Sequence, residues 1–443
     1  MILVFSLPVV LGAVGAAIDF SGRLSANMQL QDAVDAASVG SVATGSVAFT
    51  AAATMQSDGS IPVGVTNAIA IFTKNATSIA GAANLQSVAT VVKSAGYVKS
   101  TVTATADYPT TFMGLFGINK MHLSATSSSV NGMPPYLDFY LLLDVSGSMG
   151  LPSTDSEETR LAAINPDDKS QYPGGCTLAC HMSGNQGYTL SRNGGNSHNT
   201  AVTSCATAGT SACIQLRLDA VGYAVQSLIQ TANTTQKYTH QFRIGLYPFI
   251  RYMYAYSPLT YNISGSATDS STINYAATNL ATLLDTGVNS NLGSGGTHFE
   301  NALPEVTTAI QSNGIGTGAS VSNRQPWVFF VTDGSQDNQY YWSGSWSGSN
   351  HATYLNSTLC TTMKNQGIRI AVLYIPYQPI QNPNASFSGD EDDYANNNIV
   401  NIPAPLKACA SSGFYFTANT PADITSAMNT MFNQAVATDH LTQ

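Results

Sequence analysis

Charged side chains are scarce in this sequence. They make up 9% of its 443 residues, against roughly 25% in an ordinary soluble domain. The 16 Lys and Arg residues form no basic stripe, and the net charge is −9, so the chain lacks the cationic surface that nucleic acid requires. Ser, Thr, Asn, Gly and Ala replace the missing charges, which is typical of secreted or cell-surface proteins. We therefore expect no nucleic-acid partner.

The local signatures of common catalytic sites are also absent. The sequence contains no G-x-S-x-G elbow, no Walker A loop and no H-E-x-x-H helix. These absences favour a binding protein over an enzyme.

Cysteine is rare, but its six residues form an even set. An even number combined with a surface-like composition favours disulfides in an oxidising compartment. Four of the six fall in one long segment, where His181 and His198 would complete a zinc ligand set, but the spacing matches no recognised zinc module. We expect these four to pair among themselves, in a pattern that the sequence leaves open: Cys176, Cys180, Cys205 and Cys213.

The first 18 residues, Met1 to Ile18, carry no charge. As a helix they would span about 27 Å, which is marginal for a bilayer core. No Lys or Arg precedes them and no small-residue cleavage site closes the run, so an ordinary secretory signal fits poorly. Apolar residues continue at near-helical spacing to about Gly45. Residues 1–50 are thus predicted to form one long helix that lies in a membrane or packs in a filament, the alternative being a buried core helix.

Residues 51–134 predict a small α+β domain, closed by a linker that contains Pro134 and Pro135. Alternation of β-branched and polar residues predicts a hairpin. The predicted elements are a helix near Val65–Ile79, the hairpin Ser87–Asp107 turning near Ala95-Gly96, a short helix within Thr110–Ile118, and a strand Met121–Val130.

Beyond the two prolines, at 135–443, short continuous apolar runs alternate with amphipathic helical patterns. Such runs indicate strands that are buried on both faces, so the fold class predicted is α/β, a doubly wound and mostly parallel sheet. Three long loops, 150–213, 335–352 and 381–398, are insertions. The predicted strands are Leu137–Leu143, Phe242–Phe249, Trp327–Val331 and Ile368–Ile375, and the predicted helices are Leu216–Ala232, Phe299–Gln311, Tyr354–Gln366 and Pro421–Val436.

Polar side chains follow these buried strands. Asp144, Ser146 and Ser148 alternate after the first strand, so they point to the same side of an extended segment. Thr297 lies in a Ser-Gly-Gly-Thr stretch before a helix, and Asp333 follows the third strand. All lie at the sheet edge where open α/β sheets bind ligands. Carboxylate and hydroxyl oxygens suit Mg²⁺, whereas an Asp and two Ser alone would equally suit a turn.

The motifs "DVSGS", "SGGT" and "VTDG" resemble those of the von Willebrand factor A (vWA) family, in family order and over about Leu137 to Ala437. The resemblance implies a metal-ion-dependent adhesion site that holds Mg²⁺, Ca²⁺ or Mn²⁺ and keeps one position open for an acidic group of a protein or surface partner. Relatives have only a few residues where this chain has the 150–213 insertion. The implied metal ligands are Asp144, Ser146, Ser148, Thr297 and Asp333.

The stretch "LPVVLGAVGAAIDFSGRLSANMQLQDAVDAA" resembles the start of TadG-like proteins of Flp-type tight-adherence (Tad) pilus systems. That resemblance implies adhesion or pilus assembly with other Tad components, in the bacterial envelope: anchored in the inner membrane on the periplasmic side, or on the pilus or cell surface. The basic stretch that usually precedes the apolar run is missing. Cys360 and Cys409 also match that group, and since both lie outside the large insertion we expect them to form a disulfide.

Two loops contain further candidate binding features. Aromatic residues on a Gly/Ser-rich loop suggest a partner-binding surface, the alternative being packing between insertions: Tyr340, Tyr341, Trp342 and Trp346. The acidic run Asp390–Asp393 lacks the periodicity of a calcium-binding EF-hand and favours a solvated loop.

Two functions other than partner binding remain as alternatives. One is a metal-assisted hydrolase, for which His298 is the only obvious candidate general base. The other is a structural pilus subunit with a vestigial metal site.

Overall fold

The computed structural model describes residues 2–79, 81–164, 182–183, 189–190, 214–285, 289–343, 345–348, 352–377, 379 and 391–441. The chain forms two compact units. The first comprises 1–135 with 319–322 and 440–443, and the second comprises 136–318 with 323–439.

The first unit combines three helices with an antiparallel sheet of order β1-β2-β3-β4. One side of the first helix packs on this sheet through residues spaced three or four apart, among them Ala26, Leu30 and Val34, all of which are buried. The elements are helices α1 Ile2–Val42, α2 Val47–Thr54 and α3 Pro62–Asn75, with strands β1 Gly59–Ser60, β2 Ala83–Ser94, β3 Tyr97–Pro109 and β4 Lys120–Gly132.

The predicted hairpin is present and turns where expected. Ala95 and Gly96 have φ of 49° and 82°, the left-handed pair that a two-residue hairpin turn requires. The helix predicted within Thr110–Ile118 is wrong. This segment is the β3–β4 connection and contains only a 3-10 turn, Met113–Phe116, which ends at Gly117 with φ of 86°.

The second unit is built on a six-stranded sheet of order β14-β13-β10-β5-β8-β9. All neighbouring strands are parallel except β9, which pairs antiparallel with β8 at one edge. The sheet strands are β5 Leu137–Asp144, β8 Phe242–Phe249, β9 Ser257–Thr260, β10 Gln325–Thr332, β13 Arg369–Tyr374 and β14 Tyr415–Thr417; two small hairpins are β6 Met182–Ser183 with β7 Thr189–Leu190 and β11 Tyr340–Trp342 with β12 Ser345–Ser347.

Helices cover both faces of this sheet, so the predicted α/β, doubly wound fold is confirmed. Along the central strand β5, Phe139 and Leu141 contribute to one buried cluster and Tyr140 and Leu142 to the other. Burial on both faces explains the continuous apolar run of that strand. The helices of this unit are α4 Asp155–Ile164, α5 Arg217–Thr235, α6 Ile273–Thr278, α7 Phe299–Asn313, α8 Thr358–Asn365, α9 Glu391–Asn398, α10 Pro403–Cys409 and α11 Pro421–Leu441.

Several elements were not predicted. Edge strand β9 is short and contains Pro258, which removes a backbone donor and weakens the strand pattern. The predicted loop 335–352 contains the β11–β12 hairpin, and 381–398 contains α9. The acidic run 390–393 therefore lies partly at the start of a helix, and its first residue lies outside the described part of the chain.

A disulfide joins Cys360 in α8 to Cys409 at the end of α10, across a sequence separation of 49. Both cysteines are buried in the cluster that covers one face of the sheet. The other four cysteines, together with the zinc alternative built on them, lie outside the described residues.

Candidate metal centre

The centre lies where two adjoining parallel strands end. In the pairing of β5 with β10, Leu143 is opposite Val331, so Asp144 and Thr332 are the next residues of the two strands. Asp144 and Asp333 are 1% and 0% exposed. Since the carboxyl ends of parallel strands share one edge, two loops bring these buried carboxylates together.

Asp144 is held by hydroxyl and amide donors. Its Oδ1 accepts from the Ser146 backbone N at 3.0 Å and from Ser146 Oγ at 2.6 Å. Its Oδ2 accepts from Thr332 Oγ1 at 2.7 Å. These bonds fix the carboxylate on both sides and hold the two strand ends together.

Ser148 connects this carboxylate to the second one. The hydroxyl oxygens of Ser146 and Ser148 are 3.2 Å apart, and the Ser148 hydroxyl interacts with the Asp333 carboxylate. The structure therefore brings together four of the five predicted ligands: Asp144, Ser146, Ser148 and Asp333.

Thr297, the fifth predicted ligand, lies on a loop that is bonded to both of these strand-end loops. Its backbone N donates to Asp337 O at 2.7 Å, and its carbonyl accepts from Asp337 N at 3.1 Å. The adjacent Gly296 has φ of +68°, and a Cβ there would meet the carbonyl oxygens of Asp337 and Gln339. Only glycine allows this approach, which explains the Gly-Gly pair before Thr297.

Asp285 holds the same loop from the other side. Its backbone N donates to Val145 O at 2.9 Å. Its carboxylate accepts from Ser294 Oγ at 2.9 Å and from Gly295 N at 2.7 Å. The Thr297 loop is thus tied through Asp285 to the residue that follows Asp144.

One buried oxygen of the centre has an unfilled hydrogen-bonding capacity. Among the described residues, Asp333 Oδ2 has no hydrogen-bond partner. Arg217 Nη1 is 3.8 Å away, close enough to balance charge but too far for a hydrogen bond. A buried carboxylate oxygen without a donor is costly, and a cation would satisfy it.

The donors available fit a hard divalent cation. The centre offers carboxylate and hydroxyl oxygens, and in the described part of the chain no three His, Cys, Asp or Glu residues cluster. Two carboxylates with hydroxyls match the few protein ligands that Mg²⁺ accepts. The residues that would hold the ion are those named from the sequence, with Arg217 as an additional fixed charge beside Asp333.

The electrostatics of the pair also favour a cation. Burial and the nearby Asp333 raise the pKa of Asp144, against which the Ser146 and Thr332 hydrogen bonds act. Burial likewise raises the pKa of Asp333, and Arg217 opposes that rise. Two carboxylates that repel each other in a buried site are stabilised in their charged form by a metal ion.

The 150–213 insertion leaves and re-enters the fold beside this centre. Ser153 N donates to Gln215 O at 2.9 Å, and Glu157 Oε2 accepts from Gln215 N at 2.7 Å. Arg217 N donates to Leu151 O at 2.9 Å. The two ends of the insertion are therefore fastened together, and Arg217 follows directly.

The predicted aromatic surface lies on the loop after Asp333. Tyr340 stacks on the Arg251 guanidinium, whose central carbon is 3.6 Å from the ring centroid. Trp342, on the same short strand, is 61% exposed. The side chains of Tyr341 and Trp346 lie outside the description, although both residues belong to the hairpin. The hairpin follows Asp337 and Gln339, the residues that pack against Gly296.

His298, the only base considered for a hydrolase, is engaged at both ring nitrogens. Nδ1 is 2.8 Å from Glu300 Oε1, and Nε2 is 3.1 Å from Gln339 O. Both ring nitrogens of His298 thus lie within hydrogen-bonding distance of protein oxygens.

Three contributors were missed from the sequence. Thr332 could have been predicted, because it directly precedes Asp333 at the end of a strand that lies next to the strand of Asp144. Asp285 and Arg217 gave no such signal, because their roles depend on contacts across loops.

No protein-family model matches the chain, and no curated protein matches it. Among solved structures, it is similar to the PilB minor pilin from Streptococcus sanguinis, with 10% identity, a TM-score of 0.34, and coverage of 80% of this chain and 78% of that one. The conserved hypothetical protein BatB from Bacteroides thetaiotaomicron gives 12% identity, a TM-score of 0.33, and coverage of 68% and 99%.

A third similar structure is proximal thread matrix protein 1 from the mussel byssus, with a zinc-occupied MIDAS motif. It gives 12% identity, a TM-score of 0.31, and coverage of 68% of this chain and 48% of that one. The chain thus spans about half the length of the mussel protein.

Proposed function

We propose that the second unit is a vWA-like domain that binds one Mg²⁺-type ion and, through it, an acidic group of a protein or surface partner. Asp144, Ser146, Ser148, Thr297 and Asp333 hold the ion; Ca²⁺ and Mn²⁺ are chemically allowed substitutes. The ion supplies an electrophilic position for a carboxylate. Adhesion or pilus assembly in the bacterial envelope, with other Tad components, is the setting that the TadG-like N-terminal sequence favours.

The observation that carries this proposal is the buried Asp333 Oδ2, which has no hydrogen-bond partner within the described residues. It lies in the same group as Asp144, Ser146 and Ser148. In an exposed turn, by contrast, water can reach the carboxylate: Ser271 N and Oγ donate to Asp269 Oδ1 at 3.0 and 2.8 Å, and Asp269 is exposed. Asp144 with Ser146 and Asp269 with Ser271 share the Asp-x-Ser pattern. Of these two aspartates, only Asp144 is buried beside a second carboxylate, that of Asp333.

Binding is favoured over hydrolysis by the contacts of His298. A hydrolase acting at this metal needs a general base near the ion. Both nitrogens of His298, the base considered for this role, already lie within hydrogen-bonding distance of Glu300 and Gln339. The exposed Trp342 and the stacked Tyr340 next to the centre offer instead a surface of the kind that anchors partners.

Attachment to the envelope is proposed for the N-terminal helix. By length and composition, the helical stretch Gly12–Thr54 contains an 18-residue window with a mean hydropathy of 1.3, of which 39% is buried, and so passes the test for a membrane-crossing helix. The uncharged residues Ile2 to Ile18 lie at the start of the same helix α1. Exposed apolar side chains lie along the first half of α1, among them Val10, Val14 and Ile18. A lipid bilayer or neighbouring filament helices would cover them, and we propose the inner membrane.

The test is metal-dependent thermal stabilisation of the unsubstituted chain and two matched variants, in detergent. Mg²⁺ at about 100 times its Kd would add about 2.7 kcal/mol to the free energy of unfolding, or several degrees in Tm. We expect Asp144→Ala to abolish this increment and Asp269→Ala to retain it. Equal stabilisation of all three proteins would refute the metal assignment.

Partner binding is tested separately with the same variants. Adhesion of cells that carry the protein should fall on chelation and in Asp144→Ala, and should persist in Asp269→Ala. If Asp144→Ala loses the metal but adheres normally, the metal assignment stands and the structural-subunit alternative replaces the binding role.

A further inference from the structure

The connection between β3 and β4 exposes large apolar side chains. Leu115 and Phe116 are 82% and 68% exposed, and Phe112 and Ile118 are 39% and 44% exposed. The segment 110–119 contains no charged residue. Contiguous apolar surface of this kind marks an interaction site on a folded protein.

This loop, hereafter the apolar loop 110–119, runs along the first half of α1. A Cβ at Gly15 would lie 2.6 Å from Phe112 Cβ, and a Cβ at Gly12 would lie 3.0 Å from Phe116 Cζ. Glycine at these positions lets the loop touch the helix backbone. Since a helix rises 1.5 Å per residue, Phe116 lies about 10 Å farther along the helix axis than Asp19.

Asp19 fixes the loop on the helix. Its buried carboxylate accepts from the backbone N of Thr111 at 3.0 Å, of Phe112 at 2.8 Å and of Met113 at 2.7 Å. A single side chain thus satisfies three consecutive backbone donors at the point where the loop leaves the sheet.

Part of the loop backbone is also paired within the loop. Leu115 N donates to Phe112 O, Gly117 N to Gly114 O, Ile118 N to Met113 O and Thr110 N to Asn119 O. Each of these bonds lowers the cost of moving the loop into hydrocarbon, where no water is present to take up unsatisfied groups.

Charged groups lie on the other side of Asp19. Lys120 Nζ pairs with Asp107 Oδ2 at 2.8 Å, and Arg23 Nη2 donates to His122 O at 3.3 Å. Asp19, Arg23 and Lys120 therefore form a polar boundary. The apolar loop and the exposed apolar side chains of α1 before Ile18 lie on the same side of it.

We propose that the apolar loop 110–119 inserts into the same bilayer leaflet as α1 and forms a second, non-helical membrane contact. The occupant of this surface is lipid hydrocarbon, because the loop lies against the apolar half of α1 at Gly12 and Gly15 and carries no charge. Two contacts fix the first unit against rotation about the helix axis. The inference rests on the proposed membrane attachment of α1.

The test uses the full chain in phosphatidylcholine vesicles with brominated acyl chains, which quench tryptophan in hydrocarbon. Leu115→Trp reports on the loop and Val14→Trp on the helix. Val130→Trp is the control, because Val130 is 56% exposed near the other end of β4. The emission of the three native tryptophans is subtracted using the unsubstituted chain.

We expect Leu115→Trp and Val14→Trp to shift to shorter wavelength and to be quenched, and Val130→Trp to do neither. If Val14→Trp is quenched but Leu115→Trp matches the control, the loop proposal is overturned and the helix attachment stands. If neither is quenched, both fail. A blue-shifted but unquenched Leu115→Trp would mean that protein covers the loop, which also overturns the proposal.

Asp19 is tested as the positioning residue. In the Leu115→Trp chain, Asp19→Ala should reduce quenching of the loop reporter while leaving quenching of Val14→Trp unchanged. Asp32→Ala, an exposed carboxylate on the same helix, is the matched control and should change neither. Unchanged loop quenching in Asp19→Ala would refute the role assigned to Asp19.

Discussion

Thr332 Oγ1 donates a 2.7 Å hydrogen bond to Asp144 Oδ2, and this bond joins the ends of two adjoining strands. The same Thr332 oxygen accepts from Gly334 N at 2.9 Å. The Thr332 hydroxyl thus orients the Asp144 carboxylate and also holds the backbone at Gly334, the residue after Asp333.

Replacing that hydroxyl should weaken metal binding without removing a ligand. We expect Thr332→Val to lower Mg²⁺ affinity roughly 10-fold, as for other residues that orient metal ligands. It should also destabilise the metal-free protein by about 1–3 kcal/mol, because Gly334 N loses its buried acceptor. Thr332→Ser keeps the hydroxyl and is the control. Titration calorimetry measures the affinity; equal values for Val and Ser variants would contradict the assigned role.

The stabilisation of the protein by Mg²⁺ should increase as pH rises. Burial and Asp333 raise the pKa of Asp144 above its ordinary 3.8. Without metal, ionising such a group costs stability, so the folded state loses stability as pH rises from the unfolded value through the raised folded value. Metal binding requires the ionised form. The Mg²⁺-induced increase in Tm should therefore be larger at about pH 8 than at about pH 5.

The comparison is made on the unsubstituted chain at fixed ionic strength, with and without Mg²⁺ at each pH. An increment that is constant, or that grows as pH falls, would show that Asp144 is not a ligand.

The Cys360–Cys409 disulfide should stabilise the second unit. A closed loop of this length, with a sequence separation of 49, removes unfolded-state entropy equivalent to about 4 kcal/mol in the chain-entropy model. The double variant Cys360→Ala, Cys409→Ala avoids reducing the other cysteines. Urea unfolding should show a comparable loss of free energy; no loss would indicate that packing of the two helices alone holds this region.

The sheet was predictable because its strands are buried on both faces. Continuous apolar runs such as those of β5 and β10 have few other structural explanations, and the polar residues at their ends follow by position. The long helix α1 was predictable for a similar reason, since the first 18 residues of the chain carry no charge. The candidate metal ligands were named from a motif whose parts follow one another in the sequence and were expected at one edge of the sheet.

What the sequence did not predict depends on contacts between distant segments. Asp285 matters because its backbone meets Val145 and its carboxylate meets Ser294 and Gly295, and nothing in its local pattern differs from an ordinary loop aspartate. Asp19 is similar, since its partners lie in a loop about ninety residues later. Periodicity reports which face is buried, but not which buried polar groups meet.

Anchoring and metal binding should be separable. The second unit begins at Tyr136, after a linker with two prolines that favours an extended chain. We expect a shortened chain that begins at Pro135 to be soluble without detergent and to keep its Mg²⁺-dependent stabilisation, whereas the full chain requires detergent or lipid. Aggregation of the shortened chain, or loss of metal binding, would show that the boundary is misplaced.

The central claim is that one divalent cation binds between Asp144 and Asp333. Anomalous diffraction from crystals soaked in Mn²⁺ tests it directly, with Asp333→Asn as the altered chain and Asp269→Asn as the matched control. The account predicts one strong Mn²⁺ peak bonded to both carboxylates in the unsubstituted and Asp269→Asn proteins, and none at that position in Asp333→Asn. A centre without a peak in the unsubstituted protein, or a peak that Asp333→Asn leaves unchanged, would contradict it.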